Sequence, residues 1–103
     1  MHITLLHIRT NESLQNDAEI EKMMELSRAV LITAGIAPEA VSIQFRAKRT
    51  GIARDILDEI EAGEYGTVVV GRRGLSRARQ FLFGSVSNKI VHSTKDCTVW
   101  VVD

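Results

Sequence analysis

One cysteine, Cys97, stands alone among 103 residues, so no disulfide can form within the chain. That absence suits a reducing cytosol, and Cys97 reads as a small core residue with no His or Lys beside it to activate a thiolate. With one thiol and three histidines lacking a spacing such as His-x-x-x-His, a zinc site is not expected, and no metal ligands are assigned. No apolar run approaches the roughly 20 residues that span a bilayer. Met1–Ile8 is too short and lacks the basic start of a secretion signal, so a cytoplasmic location is expected, with no membrane partner. Thirteen Lys and Arg cancel thirteen Asp and Glu, which removes any net field toward nucleic acid. Aromatics are scarce at 5%, and only Phe81 and Phe83 stand where bases would stack on them. What remains is 45% apolar and 25% charged, the make-up of an ordinary globular protein, and residues 1–103 are one domain by size.

The apolar periodicities alternate in type. Ile3 to Ile8 reads as a buried strand. After a polar stretch, with Asn16 or Asp17 as N-cap, Ile20, Met23, Met24, Ser27, Val30, Leu31 and Ala34 recur at helical spacing, and Gly35 sits where a C-cap glycine belongs. Beyond Pro38, the only proline, Val41, Ile43 and Phe45 alternate with Ser42, Gln44 and Arg46, predicting a strand polar on one face. Thr50-Gly51 leads into a second helix with Ile52, Ile56, Leu57 and Ile60 on one face, closed by Gly63. Thr67–Val70 is a continuous apolar run, which predicts a strand covered on both sides. A helix from Ser85 to about Ser93 and a strand from Cys97 to Val102 complete the chain. Strand and helix alternating in this way predict an α/β fold with a mostly parallel sheet.

The chemistry concentrates between the third strand and the third helix. Val70-Gly71-Arg72-Arg73-Gly74 is followed by Gly84-Ser85 at the head of the helix. Glycines let a backbone approach an anion closely, and the unpaired N–H groups of a helix's first turn favour negative charge. Arg72, Arg73, Arg77 and Arg79 add positive potential, so the segment reads as a phosphate cradle. A turn glycine and a solvated basic loop would explain each half alone; both halves bracketing a strand end and a helix start favour the cradle. It has neither the Gly-Lys-Ser/Thr of a P-loop nor a G-x-G-x-x-G fingerprint.

The pattern Gly71-x2-Gly74-x9-Gly84-Ser85 resembles the signature of the universal stress protein family in its ATP-binding branch. The likeness covers nearly the whole chain: Leu5-Leu6-His7-Ile8 looks like the family's second strand, 51–63 its third helix, and 86–102 its last helix and strand. The resemblance implies an open, mostly parallel doubly wound sheet of the adenine nucleotide alpha hydrolase-like type. It would be shortened at the N-terminus to four strands and three helices, since the family's opening strand and helix have no counterpart here. It implies ATP with Mg²⁺ as ligand and a stress-response regulatory role. Ile8 would pack on adenine, Gly71 would lie beneath the ribose, and Gly74 with the N–H groups of Gly84, Ser85 and Val86 would hold phosphate. Phosphate pairing by Arg72 and Arg73 is inferred from their charge, not from the family pattern. The resemblance further implies a homodimer through the C-terminal strand, with strand exchange or association expected where a sheet edge is left open. Trp100, the only tryptophan, is either the anchor of that dimer or ordinary core.

The segment 71–87 contains no Asp or Glu, so no base or metal-binding carboxylate is at hand, no catalytic residue is assigned, and at most slow ATP hydrolysis is expected. His2 reads as exposed, His7 as structural, and His92 as a helix C-terminal residue. The alternative to a nucleotide binder is a nucleotide-free, dimerising interaction module of the same fold. Nucleic acid as partner, through the cluster Arg46, Lys48 and Arg49 and the four arginines of the glycine segment, is not expected.

Overall fold

Strand β1, Ile3–Arg9, and strand β2, Val41–Ala47, lie parallel, in register from Ile3 beside Val41 to Arg9 beside Ala47. Parallel strands need a crossover, and helix α1, Asp17–Thr33, supplies it. The computed structural model describes residues 1–10, 17–71 and 85–102. They divide into two units, Met1–Lys48 and Arg49–Asp103. The second repeats the scheme of the first. Helix α2, Ile52–Gly63, precedes strand β3, Thr67–Gly71, and helix α3, Ser85–Ser93, precedes strand β4, Thr98–Val102. β3 and β4 are parallel, from Thr67 beside Thr98 to Gly71 beside Val102. Four strands, three helices and parallel pairing bear out the α/β reading; among the described residues the pairing runs as two two-stranded ladders.

In the first unit, the rotation of α1 differs from the one its sequence predicts. Met24 is buried and Ile20, Ser27 and Leu31 are half-buried, but Met23, Leu26, Val30 and Ala34 are exposed, Leu26 at 60% and Val30 at 67%. Two apolar stripes share this helix, offset by about 100° per residue. Arg28 favours one of them: its Nη2 donates to the Pro38 carbonyl (2.8 Å) and its Nε to that of Val41 (3.3 Å), tying the helix to the 3-10 turn Pro38–Ala40 and the start of β2. The helix ends as predicted. Gly35 takes φ 112°, its N–H reaches the Ile32 carbonyl, and the Ile36 N–H reaches that of Leu31, the paired bonds of a Schellman cap.

In the second unit, Ala53, Leu57 and Ile90 form the core, with Ile56, Val68, Val86 and Val99 packed against it. Both helices and both strands thus contribute to one core on one side of the β3–β4 pair. This corrects the expectation that β3 is covered on both faces, since Val69 is 59% exposed while Val68 and Val70 are half-buried. Trp100, beside Val69 in the register, is 60% exposed, so it is not ordinary core. Ile52 also lies outward, and Ala53 takes its place in the core.

Gly63 is the last helical residue of α2 rather than its left-handed cap. Glu64 occupies that conformation, at φ 52°, with its N–H on the Glu61 carbonyl and the Tyr65 N–H on that of Ile60. A Cβ at Gly63 would collide with the Tyr65 ring, 2.8 Å from Cδ2, and the Tyr65 hydroxyl donates to Glu59 Oε2 at 3.0 Å. The glycine makes room for the ring, and the left-handed turn falls one residue later. Glu64→Gly should therefore raise stability by about 0.5–1 kcal/mol, because a side chain in the left-handed region is strained and glycine is not. A thermal melt that shows no gain would place the strain elsewhere.

Candidate functional site

The proposed cradle is bordered by two described elements. Gly71 is the last residue of β3, exposed, and pairs with Val102. Ser85 is the first residue of α3 and also exposed. The predicted order of strand, connection and helix is therefore observed at both borders. Arg72, Arg73, Gly74 and Gly84, together with Arg77, Arg79, Phe81 and Phe83, lie outside the described residues.

At the helix border the donors are backbone groups, because the first N–H groups of α3 have no partner within the helix. The Val86 side chain is half-buried against the core, which leaves its N–H as the group it can offer. Ile90, fully buried, fixes this helix to β3 and β4. A glycine without Cβ at one border and a helix N-terminus headed by a serine at the other suit an anionic phosphate group in charge and in donor type. Asp96, at φ 55°, is a turn residue as read, and Cys97 is half-buried, its Sγ donating to the Thr98 carbonyl.

Ile8 belongs to the first unit and is buried, at 7% exposure; Gly71, Ser85 and Val86 belong to the second. Next to Ile8, the His7 ring meets the Phe45 ring edge-on. Desolvation holds the His7 pKa below its ordinary value; the charge of Asp17 opposes this shift and that of Arg9 adds to it. His2 is exposed and its Nε2 lies 2.8 Å from Ser42 Oγ. His92 is exposed near the end of α3, as its position predicted.

Asp55 is the residue that sequence reading passed over. Its carboxylate accepts the N–H of Arg49 (2.7 Å) and of Thr50 (3.1 Å). These bonds, that of Arg49 foremost, with a further one from the Gly51 N–H, hold its pKa below the usual carboxylate range despite burial. The turn before α2 is thus a nest of N–H groups filled by the chain's own anion. A carboxylate in the first turn after Thr-Gly was the available signal, but it merged with the acidic face of the helix. The neighbouring cations have local acceptors too: Arg46 donates to Gln44 Oε1, Arg49 lies 4.0 Å from Asp58, and Arg54 pairs with Asp58 at 3.0 Å.

Among the described residues no helix is long and apolar enough to cross a membrane. No curated protein and no solved structure gives a significant match to this sequence. The model of the universal stress protein family, in contrast, matches residues 1–103. That match spans both units and every element named above, and the chain belongs to the universal stress protein family.

Proposed function

We propose that this chain is a stress-response regulatory domain that binds an adenine nucleotide, ATP with Mg²⁺, and acts as a binder rather than a catalyst. The observation that carries this reading is the placement of the glycine signature: it leaves β3 at Gly71 and returns at Ser85, the first residue of α3. In this reading Gly71 and Gly74 keep the backbone open, Gly84, Ser85 and Val86 present N–H groups to phosphate, and Arg72 and Arg73 add charge. The bound Mg²⁺ would screen phosphate charge, and with no Asp or Glu in 71–87 that segment supplies no carboxylate base for hydrolysis. The protein is placed in the cytoplasm on its cysteine usage.

Calorimetric titration of ATP with Mg²⁺ into the chain should give micromolar binding. Gly84→Val should weaken it at least roughly 100-fold, about 2.7 kcal/mol, by blocking close backbone approach, with an unchanged circular dichroism spectrum. Equal affinity in the variant would show that the cradle is not the site.

A second reading, a nucleotide-free module that dimerises through β4, draws on a different observation: Val69, Trp100 and Val102 are all exposed on one face of the β3–β4 pair. A dimer by light scattering that binds no ATP would favour it over the first.

A further inference from the structure

Strand β1 carries an imidazole nitrogen closed off from water. His7 Nε2 is buried and has no hydrogen-bond partner among the described residues. The ring lies beside Phe45, its register partner on β2, with centroids 6.2 Å apart and planes at 68°. Two charged groups act on it, Arg9 from β1 and Asp17 from the start of α1, and they are joined to each other by a 3.1 Å ion pair. β2 places no charge on this face. Its one charged residue, Arg46, alternates to the opposite side, in register with Ile8, with its guanidinium on Gln44 Oε1. Lys48, just past β2, and Glu19, Glu21, Lys22 and Glu25 of α1 are exposed.

We propose that His7 is an acid-operated latch on the first unit: uncharged, the ring packs against Phe45 and β1 stays paired with β2; protonated, it competes with Arg9 for Asp17 and lets β1 go. An imidazolium at a desolvated, unpartnered position is costly, and Asp17 is the anion in reach. The direction follows from linkage. Burial lowers the ring's pKa in the closed state, so the open state takes up the proton first. Closure is fully favoured above the open-state pKa, about 6.5, and is lost as pH falls from there toward the lower closed-state value. Uptake of one proton per opening changes the opening equilibrium by up to about tenfold per pH unit. The proposal does not rest on the nucleotide reading, since neither His7, Phe45 nor Asp17 is placed in the cradle.

Amide hydrogen exchange of the intact chain at pH 7.5 and at pH 5, corrected for intrinsic rates, tests this. Amides of β1 and β2 should lose protection at pH 5 by up to about tenfold per pH unit, while those of β3 and β4 keep theirs. In His7→Phe the pH dependence of β1 and β2 should vanish, and in Asp17→Asn, which removes the charge that raises the closed-state pKa, the loss should begin at the same pH and continue to lower pH. Protection that does not change with pH, or a loss that persists in His7→Phe, would overturn the proposal. Should His7→Phe fail to fold, the wild-type ring resonances decide the question: they should titrate with the same midpoint as the β1 and β2 amide shifts, and a ring that titrates while those amides stay unmoved would also overturn it.

Discussion

Ile90→Ala is expected to lower stability by about 2–5 kcal/mol, the cost of emptying a fully buried aliphatic site. Ile90 is 0% exposed and lies with Ala53 and Leu57 at the centre of the second unit. Removing it deletes contacts with residues from both helices and both strands, and little of the gap can close, because the surrounding side chains already pack at the density of a solid. Set against a total of about 5–15 kcal/mol for a typical domain, this is a large fraction. In urea the unfolding midpoint should fall while the slope holds. Val91→Ala, one residue along and exposed, should move it by no more than about 0.5 kcal/mol. Equal effects of the two would mean that α3 is not held by this core. Because α3 begins at Ser85, the same cavity should loosen the helix end that borders the cradle.

Asp55→Asn should lower the Tm by roughly 5–15 °C at neutral pH, since an amide offers one acceptor where three N–H groups converge and turns its own donors toward them. The wild-type contribution carries a pH signature. The folded carboxyl is held below its ordinary range, first by the Arg49 N–H. Its contribution is therefore complete above the unfolded carboxylate pKa, about 4, and is lost as pH falls through the lower folded value. Melts from pH 7 down to pH 2 should show the wild-type advantage over Asp55→Asn shrinking only in the acid range. An advantage that stays constant to pH 2 would show that the carboxylate charge plays no part. This acid limb lies well below the one expected for His7, so the two can be separated in one titration.

What was legible in the sequence follows from how strong each local signal is. Every strand and helix is found within a residue or two of its predicted span, because alternation in 41–47 and the apolar run of 67–71 have no competing reading. Gly35 was legible since only a left-handed residue completes that cap. The rotation of α1 was not, because Met23 and Val30 are as apolar as Ile20 and Met24, and the choice rests on Arg28 reaching two carbonyls ten and thirteen residues away. The left-handed Glu64 was hidden behind Gly63, whose purpose is set by the Tyr65 ring. The sidedness of β3 depends on both helices of its unit sharing one core, which no window of five residues records. At the candidate site, the borders Gly71 and Ser85 were legible as the end of a β-branched run and the start of a helical period. Asp55 was not, since the N–H groups it holds belong to the residues just before the helix, outside the periodic pattern.

The outward position of Trp100 gives this protein an optical handle. As the only indole in the chain, it makes intrinsic fluorescence report on a single spot, the open face of β4 opposite the core. In the isolated chain its emission should be red-shifted and readily quenched by iodide or acrylamide. Any protein, peptide or second copy that settles on that face should shift the emission to the blue and shield it from quencher, without a label and without touching the glycine segment.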